Sequence, residues 1–206
     1  IEPPGLVRFV HVSDIHYGGS PEDPRADWLK SRTDRINGID FDADLILITG
    51  DVVNSVPIEI ENDPSKPSGL GLLVEALDAD LEVPYVITIG NHEHYDSEEP
   101  LIVTEDAPAR AAWFEAVTGQ PVDQAVVVNG VRFITLNSMR GPAWNENGGL
   151  LGSFSADQMT WLGEELSDGR PSFLFFHHPP QTLASAPAEE SLCAVMQAKP
   201  GVVKGI

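Results

Sequence analysis

Short apolar runs repeatedly end in polar clusters along this chain, and that punctuation predicts most of its elements. Leu6–Val12 follows a Pro-Gly pair and reads as a buried strand, closing on Ser13-Asp14-Ile15-His16. Leu45–Thr49 is a second such run, ending in Gly50-Asp51, and Tyr85–Ile89 a third, ending in Gly90-Asn91-His92-Glu93. Arg25–Asn37 and Leu70–Ala79 have helical character, and a loop rich in Pro, Asp and Ser covers Val56–Ser68. In the second half, Ala107–Val117 reads as a helix. Ala125–Val128 and Val131–Leu136 flank Asn129-Gly130, a pair suited to the positive φ angles of a two-residue hairpin turn. A loop over Asn137–Gly149 follows, then Ser155 as N-cap of a helix at Ala156–Leu166. Ser172–Phe176 is another buried strand, closing on His177-His178-Pro179-Pro180. A helix through Glu189–Gln197 and a strand beginning near Val202 end the chain.

Strands alternating with helices predict an α/β fold with a largely parallel core and an antiparallel hairpin in the second half. At 206 residues the chain fits one domain, 1–206, with a substantial core. Ligands in such sheets bind beyond the carboxyl ends of the strands. Asp14, Asp51, Asn91 and His177 each follow an apolar strand, so metal-competent side chains from four segments are expected along one rim.

Composition narrows the choice of partners. Apolar content of 42% with 21% charged residues is ordinary for a soluble globular protein. No run approaches the roughly 20 apolar residues that span a bilayer. Acidic residues number 32 against 12 basic ones, a net charge of −20, and only four lysines occur (Lys30, Lys66, Lys199, Lys204). That balance speaks against a dedicated binder of long nucleic acids or anionic membranes. It fits a high-salt habitat and an ordinary acidic soluble protein equally well. The single cysteine, Cys193, excludes an internal disulfide and sits in an apolar stretch, as a structural thiol would. The opening Ile1-Glu2-Pro3-Pro4-Gly5 carries no signal-like segment and no Met, so the chain is expected to be processed, excised or incompletely represented. Location stays open between cytoplasm and export, and the oligomeric state is not readable.

Taken singly, Asp-x-His and Gly-Asp after a strand are ordinary turn chemistry. Gly90-Asn91-His92-Glu93 is sharper, because three polar side chains after a buried strand have little packing purpose. His177-His178-Pro179-Pro180 is sharper again, since two histidines at a strand end are costly to bury without partners. In this order the blocks resemble the calcineurin-like metallophosphoesterase superfamily, over Leu6 to about Pro180. The family pattern of Asp-x-His, Gly-Asp, Gly-Asn-His-Asp/Glu and His stands here as Asp14-Ile15-His16, Gly50-Asp51, Gly90-Asn91-His92-Glu93 and His177. His-His-Pro-Pro is similar to the branch containing cyclic-nucleotide and glycerophosphodiester phosphodiesterases.

The resemblance implies a sandwich of mixed β-sheets flanked by helices and a dinuclear centre of two divalent transition-metal ions, Mn, Fe, Zn or Co, which oxygen and imidazole ligands suit. It implies that Asp14 and His16 bind one ion, Asn91 and His177 the second, and Asp51 both. Paired cations would acidify a bridging water, and the resulting hydroxide would attack phosphorus in a small phosphoester. His92 is expected to face the phosphoryl group as acid or stabiliser, and Glu93 to orient His92. His178 is a neighbour without an assigned role. Asn54 is expected to fix its loop rather than touch substrate, His11 to be a packed core histidine, and His94, Tyr95 and Arg140 to be solvated loop residues, with lining the pocket as their alternative. The family's Gly-His-x-His block is missing, so the fold reads as C-terminally incomplete. The expectation is that the block lies beyond Ile206; the alternative is a naturally shorter protein with weakened metal binding. Against the phosphodiesterase stand a non-catalytic scaffold of the same fold, which retention of the ligands opposes, and a nuclease of the superfamily, which the acidic balance opposes.

Overall fold

The computed structural model describes residues 5–17, 30–31, 34–35, 37–38, 42–56, 68–94, 107–140, 152–179 and 191–206. The chain divides into two compact units, one formed by Arg8–Val122 and the other by Ile1–Val7 with Asp123–Ile206. Among the described residues each holds one sheet, and helices accompany both sheets in a mixed α/β architecture.

In the first unit, β1 (Phe9–Val12), β2 (Leu45–Thr49) and β3 (Tyr85–Thr88) form a parallel sheet with β2 in the middle. Every residue of β2 is buried, which is why it reads as an unbroken Leu-Ile-Leu-Ile-Thr run rather than an alternation. Helix α1 (Gly69–Asp80) starts where the Ser68 hydroxyl accepts from the Gly71 N–H. Its buried Leu70, Leu73, Val74 and Leu77 recur at the helical spacing that makes one apolar stripe. Helix α2 (Ala107–Thr118) adds Trp113 and Phe114 to the core.

The second unit carries a four-stranded sheet in the order β4 (Gln124–Val128), β5 (Val131–Thr135), β6 (Ser172–Phe175), β7 (Val203–Gly205). β4 and β5 are antiparallel, and the rest are parallel. Asn129 and Gly130 both take positive φ, 47° and 83°, as a type I′ turn demands. Ser155 and Gln158 form a complete capping box on α3 (Ala156–Glu165), which a short 3-10 turn at Leu166–Asp168 extends. Helix α4 (Leu192–Ala198) begins after its N-cap Ser191. Ile134, Leu136, Phe154, Met159, Leu162, Leu166, Leu174 and Leu192 make the core.

The predicted strands stand within a few residues of their expected limits. The helix expected at Arg25–Asn37 falls largely outside the described residues, although 30–31, 34–35 and 37 are helical. Most of the Val56–Ser68 and Asn137–Gly149 loops also lies outside them. His11 departs from expectation: on the edge strand β1 its side chain is exposed rather than packed in the core, with Nε2 2.7 Å from the Thr49 hydroxyl. A central strand would have buried it.

Candidate metal centre

The rim of the parallel sheet is built by backbone before any side chain is considered. Beyond β1 and β2 the two chains stay tied: Asp14 N–H donates to Gly50 O, His16 N–H to Asp51 O and Tyr17 N–H to Val52 O. Three non-glycine residues there adopt left-handed backbone, Asp14 (φ 57°), His16 (φ 51°) and Asp51 (φ 50°). L-residues other than Asn, Asp and His rarely do so, and the sequence supplies the tolerant types. Ile15, between Asp14 and His16, is buried, which anchors the turn.

Around Asp51 the donors converge. Its Oδ1 accepts the His92 backbone N–H at 2.9 Å, leaving Oδ2 to face two imidazoles. His16 Nε2 and His92 Nε2 each lie 3.8 Å from that oxygen, and His16 Nε2 lies 3.9 Å from Asp14 Oδ1. The ligand atoms of His16, Asp51 and His92 all lie within 4.8 Å of one another. These separations exceed hydrogen-bond reach. The 3.8 and 3.9 Å separations of His16 from Asp51 and Asp14 fit donors that share a cation at about 2.0–2.2 Å from each, with His92 Nε2 beside that set. The donor chemistry, carboxylate with imidazole and no thiolate, suits a borderline divalent ion. His16 and His92 meet edge to face, their ring centres 4.4 Å apart.

His92 is held in one orientation. Its Nδ1 lies 2.7 Å from the Asn54 carbonyl, an acceptor only, so Nδ1 carries the proton and Nε2 faces Asp51. Asn54 meets His92 through its backbone carbonyl, and its own N–H donates to Tyr17 O. Asn91 is buried at the head of the His92–His94 turn, and its carbonyl accepts the His94 N–H. Between β3 and that turn stands Gly90, where a Cβ would fall 2.2 Å from Asp51 N and 2.4 Å from Asp51 Oδ1. Only glycine allows the two loops to lie so close.

Glu93, expected beside the His92 ring, is fully buried with its carboxylate on the backbone of the adjoining loops. Oε2 accepts from Gly90 N–H at 2.6 Å and Asp51 N–H at 3.1 Å, while Oε1 accepts from Val53 N–H at 3.0 Å. His94 is fully buried too, and not the solvated loop residue expected, because it sits in the 3-10 turn against α2. Tyr95 lies outside the described residues.

His177 and His178 stand at the end of β6 in the second unit. His178 is buried, with Nδ1 3.1 Å and its backbone N–H 3.2 Å from Ser138 Oγ. A Cβ on Gly152 would come within 2.7 Å of His178 Cβ and 3.0 Å of Ser138 Cβ. His177 is half-buried, its ring edge to face with that of His178 at 4.7 Å. The inward residue of the pair is thus His178, and His177 is the more accessible one. Arg140 is exposed, as expected, and pairs with Asp123 at 2.6 Å. Asp123 also accepts from Asn137 N–H and the Gln158 side chain, which ties Asn137-Ser138 to the first turn of α3. Asp123, Ser138 and Gly152 carry no local sequence signal, since their contacts join segments 14 or more residues apart.

The sequence profile of calcineurin-like phosphoesterases matches residues 7–204, and the chain belongs to that family. A protein of Rhodococcus erythropolis (strain PR4 / NBRC 100887) named "Probable cyclic nucleotide phosphodiesterase" is 28% identical over 178 residues. The match covers 84% of this chain and 52% of that protein, so the chain spans about half the length of this curated relative. The solved structure of PhoD is similar with a TM-score of 0.43 and 12% identity, over 84% of this chain and 42% of that one. Among the described residues no helix is long and apolar enough to cross a membrane.

Proposed function

We propose that this chain carries the metal-binding and catalytic residues of a phosphoesterase acting on small phosphodiesters. The observation that carries this is the clustering of His16, Asp51 and His92 donor atoms within 4.8 Å, on loops whose backbone is already bent to present them. Family membership and the likeness to a protein named as a cyclic nucleotide phosphodiesterase support the same chemistry.

In this reading Asp14 and His16 hold one divalent ion and Asp51 is shared with a second. Asn91, on the same rim, joins the second set. Bound divalent cations supply charge against the phosphoryl oxygens and lower the pKa of a coordinated water. The protein's own contribution is positional and protonic. Asp51 is fixed at both ends, through its amide and through Oδ1, which turns Oδ2 toward the His16 and His92 rings. With Nδ1 committed to the Asn54 carbonyl, a protonated His92 holds its second proton at Nε2, where it is available to a leaving oxygen. Half-exposure keeps that atom within reach of solvent and substrate.

The test pairs metal analysis with turnover of bis-p-nitrophenyl phosphate against the mono-ester. Divalent metal and faster diester hydrolysis are expected. Absence of both in the whole protein would leave a metal-free scaffold as the reading.

A further inference from the structure

We infer that Glu93 is a positioning residue for Asp51, locking together the two strand ends that carry Asp51 and Asn91, and that its effect on His92 is indirect. The inference rests on the metal-centre reading for its functional meaning, but its structural half can be tested without a metal.

A buried carboxylate is tolerated only where its lone pairs are met. Glu93 has no exposed surface, and three backbone N–H groups converge on it. Two of them, from Asp51 and Val53, belong to the loop after β2, and the third, from Gly90, belongs to the loop after β3. One carboxylate therefore staples two neighbouring strand ends. The next residue back completes the grip, since His92 N–H donates to Asp51 Oδ1. Consecutive residues of one short turn thus hold Asp51 from opposite ends, His92 by its carboxylate and Glu93 by its amide.

The grip extends to β1. Val53, held by Glu93 Oε1, bridges Tyr17, and Asn54 N–H donates to Tyr17 O. His16 precedes Tyr17, so its place on the rim depends on the same register. The charge matters as well as the shape. A glutamine would keep one carbonyl acceptor and turn its other terminal atom into a donor facing a backbone N–H. Aspartate would keep both acceptors one methylene farther away.

The experiment uses the full chain as wild type, Glu93→Gln, Glu93→Asp and His92→Ala, with amide hydrogen exchange read by NMR and Mn²⁺ binding by titration. Glu93→Gln is expected to speed exchange at Asp51, Val53 and Gly90 and to weaken Mn²⁺ binding about 10–100-fold. Glu93→Asp should recover part of both effects, and it carries the test should the glutamine variant not fold. His92→Ala should leave Mn²⁺ affinity close to wild type. The inference is overturned if Glu93→Gln keeps Mn²⁺ affinity and loses only turnover, as a partner of His92 would, or only melting temperature, as a purely structural residue would. If wild type takes up no Mn²⁺, the proposed function falls, and the exchange at the three amides alone decides what Glu93 does.

Discussion

The two units hold their histidines by opposite means. On the parallel sheet, His16 and His92 are set by backbone: left-handed residues at both loop ends, a carbonyl on His92 Nδ1 and a buried carboxylate gathering amides behind Asp51. At the end of β6, His178 is set by side-chain packing, with the Ser138 hydroxyl on its ring and Gly152 pressed against its Cβ. The first arrangement leaves donor atoms aimed at a common point. The second buries one imidazole and leaves its neighbour half-buried against it. A rim that must present several ligands needs directional bonds on each, whereas a strand end presenting one can rely on close packing.

Removing Asp51 should break the contrast most completely. Asp51→Ala is expected to abolish phosphodiesterase activity and the binding of both proposed ions, because in the proposed reading each set relies on this carboxylate; metal content after dialysis and turnover check it, and retained activity would mean the bridging role is misassigned. His92→Ala comes next, with metal retained and turnover lowered ~10²-fold or more. Loss of metal instead would make His92 a ligand, which its 3.8 Å distance to Asp51 Oδ2 also allows.

The paired glycines sharpen the comparison. Gly90→Ala and Gly152→Ala both force a Cβ into contacts closer than van der Waals reach, and each should destabilise by ~1–3 kcal/mol in urea unfolding. Only Gly90→Ala pushes on the Asp51 backbone, so it should weaken Mn²⁺ binding far more. Equal losses would show that the packed strand end matters to the ions as much as the bonded rim.

The smallest effect lies in the second unit, away from the histidines. Side-chain hydrogen bonds from Arg132, supported by the Arg170 backbone N–H, hold the Asp168 carboxyl down at about 2 from a usual 3.8. A folded pKa below the unfolded one adds stability that is complete above about pH 3.8 and is lost as pH falls through about 2. Exposure of Asp168 keeps the contribution small. Asp168→Asn should flatten the unfolding free energy across that window, and an unchanged acid slope would remove Asp168 from the account.

Legibility followed the range of the interactions. β2 was plain because burial on both faces writes itself as an apolar run, and the Asn129-Gly130 hairpin because its turn needs positive φ at two adjacent residues. The Ser155–Gln158 capping box is equally local. Asp14, His16, Asp51, Asn91 and His92 could be picked out because each follows a strand. Glu93 was picked out as well, yet its partners could not be, since its bonds to Asp51 and Val53 span 42 and 40 residues. His11 was misplaced because sequence shows a strand without showing whether it lies at the edge of its sheet. His94 was misplaced because a polar cluster after a strand looks solvated until a helix covers it.

The left-handed backbone at Asp14, His16 and Asp51 has a consequence for ion capture. Such dihedrals are unfavourable in a free chain and persist only where surrounding structure enforces them. Ordering of the rim is therefore completed when the polypeptide folds, so a cation arriving at the proposed site would meet a receptor with little left to rearrange. Selectivity among ions would then rest on fixed spacing more than on adaptation.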